Sequence, residues 1–276
     1  MQPAFSLQNG SPKDGSPEDG SLGAPIEARG LVKVFGGLRA VDDMSIVLNN
    51  GEMLGVIGPN GAGKTTLFNL LAGSVRPNAG SIHIDGKELT RAGADKRIAS
   101  GVGRTFQIPR PFAEMTVLEN VLTGGQRQAG ERVWMNVLRP GRVAAEERMA
   151  VDKARGLLDF VTLSALEGEA ARVLSGGQRK LLELARILMA DPQAILLDEP
   201  AAGVNPTLLE LIIDRLLELN AGGKSILLIE HNMDAVSRLC GRVVVMASGC
   251  YLTEGAPAEV ARNPAVIEAY LGGVAQ

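Results

Sequence analysis

The sequence predicts an α/β fold built on a buried, largely parallel sheet, and three observations carry that prediction. Short, mostly apolar runs recur at Met53-Leu54-Gly55-Val56-Ile57, Ala194-Ile195-Leu196-Leu197, Ser225-Ile226-Leu227-Leu228-Ile229 and Val243-Val244-Val245-Met246. Their apolar residues follow one another instead of alternating with polar ones, as in strands covered on both faces. Helical periodicity separates the middle two, so strand, helix and strand follow in the order that gives parallel neighbours. The chain has 276 residues, 45% of them hydrophobic. That is enough to bury roughly three quarters of the unfolded surface in one large domain.

Taken from the N-terminus, residues 1–25 carry an imperfect repeat, Ser11-Pro12-Lys13-Asp14-Gly15 and Ser16-Pro17-Glu18-Asp19-Gly20. Such a composition buries too little apolar surface to offset chain entropy, so a disordered tail is expected. From Ile26 the pattern turns globular. Leu31–Phe35 and Ser45–Leu48 read as strands with a Gly36-Gly37 turn nearby. After the run at Met53–Ile57, Leu67, Leu70 and Leu71 fall at helical spacing, and Gly73 is placed to end that helix. Residues 112–172 are richer in helix, with Ala154, Leu157, Leu158 and Val161 on one face. A later helix takes Asn205 as its N-cap and Pro206 at its first position. Its expected apolar face is Leu209, Ile212, Ile213, Leu216 and Leu217.

Charge and composition exclude several functions. Lys plus Arg number 28 against 31 Asp plus Glu, and aromatics make up 3%. A nucleic-acid binder usually shows a basic excess or stacking aromatics, so no nucleic-acid partner is expected. Two cysteines, Cys240 and Cys250, cannot supply a disulfide framework, and with only His83 and His231 in addition no Cys/His zinc site is expected. Both thiols read as small hydrophobes in a reducing compartment. No run approaches the ~18 apolar residues of a membrane span. The start, Met1-Gln2-Pro3-Ala4-Phe5, has neither basic nor apolar signal character. A soluble, cytosolic chain is expected, unless a membrane partner holds it.

Gly58-Pro59-Asn60-Gly61-Ala62-Gly63-Lys64-Thr65 fits G-x-x-x-x-G-K-[ST] at every fixed position, after a strand and at a helix start. Glycines let the backbone N–H groups curl around phosphate oxygens, and the helix N-terminus adds positive potential. Lys64 would reach the β- and γ-phosphates, and the Thr65 hydroxyl would ligate Mg²⁺. The run Ile195-Leu196-Leu197-Asp198-Glu199 places an acid at a strand tip facing the same crevice. Alone it reads equally well as a strand followed by a helix cap. Beside a phosphate loop it reads as Asp198 holding Mg²⁺ and Glu199 polarising the attacking water. Leu174-Ser175-Gly176-Gly177-Gln178 opens a further helix, with Leu181, Leu184, Ala185 and Leu188 on one face. Its Ser and Gly amides form a second anion cradle.

With these segments the sequence resembles the ATP-binding subunit of ABC transporters over residues 26–272, leaving 273–276 as a C-terminal tail. The resemblance implies a P-loop NTPase core of largely parallel sheet, an antiparallel β subdomain and an inserted α-helical lobe near residues 108–175. It also implies ATP and Mg²⁺ as ligands, with Thr66 and Gln178 joining the nucleotide contacts. Phe35 matches the aromatic that stacks on adenine, although a strand-core role fits the same residue. Gln107, in Arg104-Thr105-Phe106-Gln107, matches the glutamine that touches Mg²⁺ and the attacking water. His231 matches the switch histidine at the γ-phosphate. Ala201–Pro206 matches the loop through which two such subunits communicate, with Asn205 where many members have Asp.

The implied mechanism pairs two ATPase subunits head to tail, as a homo- or heterodimer, with each ATP between Lys64 of one and Ser175 of the other. The implied setting is peripheral, on the cytoplasmic face of the plasma membrane. Integral-membrane permease subunits would be direct partners, with an extracytoplasmic solute-binding protein acting indirectly. Phe35-Gly36-Gly37-Leu38-Arg39-Ala40-Val41, Glu230-His231-Asn232-Met233 and Val266–Gly272 are most similar to the branched-chain amino acid importer subgroup. Gly176 departs from it, since that subgroup often has a bulky or polar residue there. Urea or amide importers and the lipopolysaccharide-export ATPase share much of the pattern. Soluble ABC ATPases acting on ribosomes or DNA fit less well, because this chain has one cassette and an acidic balance.

Overall fold

The computed structural model describes residues 25–105, 110–125 and 140–272. Gln107 and the expected tails lie outside these residues, except for Pro25, which is buried. Two sheets and a helical lobe make up the described structure. The larger sheet has the order β10-β9-β3-β8-β7-β6. Its strands are β3 (Met53–Ile57), β6 (Val102–Arg104), β7 (Ala194–Asp198), β8 (Ser225–Ile229), β9 (Arg242–Ala247) and β10 (Cys250–Gly255). The first five are mutually parallel, and β10 closes one edge as an antiparallel hairpin with β9. The smaller sheet is antiparallel: β2 (Leu38–Leu48), β1 (Ile26–Phe35), β4 (Ala79–Ile84) and β5 (Lys87–Glu88).

Strand alternation shows why the central runs lack polar positions. Leu54, Val56, Ala194, Leu196, Leu227, Ile229, Val244 and Met246 point into a core shared with the smaller sheet. Met53, Ile57, Ile195, Leu197, Ile226, Leu228, Val243 and Val245 point the other way, into a core shared with the helical side. Each fully buried side chain of this kind contributes about 1.5–3 kcal/mol. Helix α1 (Lys64–Leu71) is clamped in the first core by Leu67, Phe68, Leu70 and Leu71. Gly73, in the left-handed region at φ 77°, ends it as expected.

The lobe contains α3 (Val117–Leu122) and α4 (Pro140–Phe160), packed on α5 (Gly176–Met189). Buried Asn120 organises its entry loop, donating to the carbonyls of Phe112, Met115 and Thr116 and accepting from the Phe112 N–H. Helix α6 (Pro206–Ala221) starts as expected, the Asn205 side chain accepting from the Leu208 N–H at 2.9 Å. Its stripe is narrower than expected. Ile212, Ile213 and Leu216 are buried, whereas Leu217 is exposed, roughly a quarter turn from the stripe's centre. Cys250 also departs from expectation, lying exposed on the edge strand, while Cys240 is buried with its thiol pushed up to about 12 by desolvation. Three short helices follow toward the end of the described chain: α7 (Met233–Leu239), α8 (Pro257–Val260) and α9 (Pro264–Gly272).

Arg97, on α2 (Ala94–Ala99), is among the described residues the one charged member of the largest fully buried side chains. Its guanidinium donates to the carbonyls of Leu70 and Leu71 at the end of α1, and to those of Leu89 and Thr90. It therefore adds a side-chain donor to the carbonyls at the end of α1, beside the local bonds made there by Ala72 and Gly73. Burial lowers its pKa to about 10, so it stays charged at neutral pH. Arg97→Met would remove this donor from Leu71 O and Thr90 O inside the core, and a loss of about 2–4 kcal/mol is expected. Urea unfolding at pH 7 checks this, through a lower midpoint at unchanged slope.

Candidate active site

The loop between β3 and α1 is built from backbone conformations that side chains resist. Gly58, Gly61 and Gly63 have φ of 150°, 79° and 92°. A Cβ on Gly58 would lie 2.1 Å from the Met246 carbonyl oxygen, and one on Gly63 would lie 2.2 Å from that of Ala40. The loop is thus pressed between β9 and β2, and the β9–β10 turn adds a bond from the Gly249 N–H to Ala62 O. Pro59 and Asn60 form the outer bend. No side chain caps the N-terminus of α1, where Gly63 stands as N-cap, so its first-turn amides face the loop's hollow.

Lys64 is buried under this loop, its Nζ donating to Gly58 O at 2.7 Å and Pro59 O at 2.9 Å. Burial pulls the ammonium pKa down, opposed by Glu199 and Asp198. A buried ammonium with donor capacity to spare suits an anionic ligand. Thr65 is exposed beside it, and Thr66 half-buried. A cleft of about 680 Å³ opens there, lined by Thr65, Arg104, Asp198, Glu183 and Arg186.

Parallel pairing of β3 with β8, and of β8 with β7, brings three strand tips to the same edge. Asp198, at the end of β7, is almost wholly buried, and its Oδ1 has no hydrogen-bond partner. Arg104 approaches the other carboxylate oxygen at 3.6 Å and also donates to Asn69 on α1. Desolvation raises the Asp198 pKa above its ordinary 3.8, with Arg104 opposing and Glu199 adding to the rise. Among the described residues no group of three or more His, Cys, Asp or Glu gathers as a metal site. One orphaned carboxylate oxygen near a threonine hydroxyl instead fits Mg²⁺, which keeps waters and takes phosphate oxygens as its other ligands.

Glu199 follows in the left-handed region at φ 51°, a strained conformation for a residue with a side chain. Its Oε1 lies 3.0 Å from Nε2 of His231, past the tip of β8. Glu230 links the two loops: its buried carboxylate accepts from the N–H groups of Ala201, His231 and Asn232.

Ser175 caps α5 through a reciprocal box with Gln178, whose side-chain oxygen accepts from the Ser175 N–H. Ser175 and Gly176 are exposed, whereas Gly177 is buried where a Cβ would meet Leu208 at 2.1 Å. The segment expected to form a second anion cradle therefore sits on the surface, with Ser175 and Gly176 exposed. Phe35 is 48% exposed at the tip of the β1–β2 hairpin, with Lys33 Nζ 5.0 Å from its ring centroid. It is no core residue, which leaves its ring face available for stacking.

The structure brings together Lys64, Asp198, Glu199 and His231, and holds Phe35 and Ser175 on the surface. Gln107 lies outside the described residues. Sequence reasoning gave no role to Arg104, Lys180 or Glu230. Only Arg104 and Glu230 stood inside quoted motifs, and no periodicity marks a side chain that bonds backbone carbonyls.

This is the fold of an ATP-binding cassette. The sequence matches the family described as ABC transporter over residues 41–202, and that described as Branched-chain amino acid ATP-binding cassette transporter over residues 252–276. The chain belongs to the ABC transporter family and is one of its ATPases. It is 41% identical to the probable branched-chain amino acid transport ATP-binding protein LivG of Archaeoglobus fulgidus, covering 90% of this chain and 95% of that one. With the high-affinity branched-chain amino acid transport ATP-binding protein BraF of Pseudomonas aeruginosa the identity is 39%, covering 90% and 97%. A crystal structure of a nucleotide-free ATP-binding cassette from an ABC transporter superposes with a TM-score of 0.78 at 38% identity, covering 90% and 98%. Among the described residues no helix is long and apolar enough to cross a membrane.

The raised pKa of Asp198 carries a stability cost. The folded state holds the proton more tightly than the unfolded chain, so ionisation destabilises the fold as pH rises from 3.8 through the raised value. Above the raised value the cost is fully present. Asp198→Asn is therefore expected to raise the unfolding temperature of the nucleotide-free chain at pH 7. A thermal scan checks the sign.

Proposed function

We propose that this chain is the ATP-hydrolysing subunit that powers an importer of branched-chain amino acids. The observation that carries this reading is the match of its C-terminal segment to a branched-chain amino acid cassette family, joined to a complete nucleotide-site motif set. Relatives named for that transport, at 37–41% identity over 90% of the chain, support it.

In this reading the loop Gly58–Gly63, the first-turn amides of α1 and Lys64 hold the phosphates, and Phe35 stacks on the adenine. Thr65 and Asp198, with Gln107, would hold Mg²⁺, which neutralises charge on the β- and γ-phosphate oxygens. Glu199 accepts the proton of the attacking water, and His231, 3.0 Å away, keeps its carboxylate oriented. Ser175 and the amides of Gly176 and Gly177 bind the γ-phosphate held by a second, head-to-tail ATPase subunit. An exposed segment suits that use. The loop held by Asn120, with Phe112 half exposed, meets the permease subunits, and the chain sits peripherally on the cytoplasmic face. A solute-binding protein outside the membrane delivers the amino acid to the permease.

Glu199→Gln tests chemistry and substrate together. The purified variant is expected to bind ATP with near-normal affinity and to hydrolyse it about 10²–10⁴-fold more slowly. Cells carrying it should lose uptake of labelled leucine, isoleucine and valine. Normal turnover would reject Glu199 as the base; slow turnover with normal uptake would reject the substrate assignment.

A further inference from the structure

Lys180 projects from α5 five residues after Ser175, and it points at the strand tip that carries Glu199. Its Nζ donates to the carbonyl oxygen of Glu199 at 2.6 Å and to that of Pro200 at 3.2 Å. One ammonium thus grips two successive peptide groups at the residue whose backbone is forced to φ 51°. Left-handed backbone is disfavoured for a side-chain-bearing residue, so something must hold it there. Charge-assisted donation to both carbonyls does so, because relaxing Glu199 would turn its carbonyl away from the ammonium. The ammonium is partly buried, and Glu230, Glu199, Glu183 and Asp198 all favour its charged form against desolvation.

The same end of the helix also packs on the loop that follows Glu199. Gly177, one turn before Lys180, lies against Val204 of that loop and Leu208 in the first turn of α6, so the start of α5 is in contact with the segment leading from Glu199 to Asn205. Helix α5 therefore joins two functions in one rigid piece: the exposed Ser175 cradle and the backbone that aims Glu199.

We propose that Lys180 is a positioning residue for hydrolysis, which orients Glu199 and ties it to the Ser175 segment of the same chain. The inference rests on the reading above, in which Glu199 serves the chain's own ATP while Ser175 serves the one opposite. On that basis, engagement of Ser175 across the dimer holds α5 in place. Through Lys180 it thereby sets the base of the neighbouring site, making each site's turnover depend on closure at the other.

Steady-state ATPase assays on the full-length chain test this with Lys180→Met, Lys180→Arg, Lys180→Gln and Glu199→Gln in parallel. Lys180→Met is expected to lower kcat about 10–100-fold, the cost of a misplaced reacting group. KM and equilibrium ATP affinity should stay within about twofold, because no phosphate contact is touched. Lys180→Arg, which keeps a charged donor, should recover most of the rate. In a Glu199→Gln background, Lys180→Met should cost nothing further. Should the methionine variant fail to fold, Lys180→Gln, which keeps one donor, carries the same kcat-against-KM comparison. A wild-type kcat for the methionine variant beside an inactive Glu199→Gln would overturn the Lys180 proposal alone. So would an arginine variant as slow as the methionine one, or a rise in KM at constant kcat. An active Glu199→Gln would remove the role of Glu199, and the proposal with it.

Discussion

Everything in this site depends on the close approach of the Gly58–Gly63 loop to two backbone carbonyls, Met246 O on β9 and Ala40 O on β2. A loop squeezed this tightly has little conformational freedom left to lose. Its amides are held in a curl before any ligand arrives, so binding a polyphosphate requires little reordering. Lys64 reinforces the arrangement from below by bonding the loop's own carbonyls. Both sheets take part, since Met246 belongs to the parallel sheet and Ala40 to the antiparallel one. The antiparallel sheet is therefore part of the nucleotide site as well as a cover for α1.

The acidic edge has a different character. Asp198 and Lys64 are placed where burial disfavours charge, and Glu199 sits on strained backbone. Stability is given up here for a site whose charges need a polyanion and a cation to balance them. Backbone bonding holds it together: Glu230 gathers three N–H groups, and Lys180 takes two carbonyls. Few of these contacts would survive a shift of α5 or β8, which makes the edge sensitive to what happens at the exposed end of α5.

Much of this was legible in the residues. Four central strands show as apolar runs because both of their faces are covered, and the Asn205-Pro206 start of α6 shows because capping chemistry is local. The early strands proved longer than their apolar stretches, since pairing in the antiparallel sheet extends them through polar positions such as Glu27 and Arg39. β4, three-residue β6 and the edge strands β5 and β10 went unread: their order comes from neighbours, and their own sequence has no repeating pattern. In the site, motif residues were legible and their supports were not. Arg97, Lys180 and Glu230 act by satisfying backbone groups brought near by the fold, and such a role leaves no spacing in the chain.

Competition for the nucleotide site tests most directly whether the backbone cradle is the seat of recognition. A fluorescent ATP analogue bound to the purified chain would be displaced with inorganic tripolyphosphate or with adenosine. If the loop and Lys64 carry the binding, tripolyphosphate displaces the analogue at concentrations within about tenfold of those ATP requires, and adenosine fails at a roughly thousandfold excess. Adenosine displacing the analogue more effectively than tripolyphosphate would contradict it, and would move recognition to the base and Phe35.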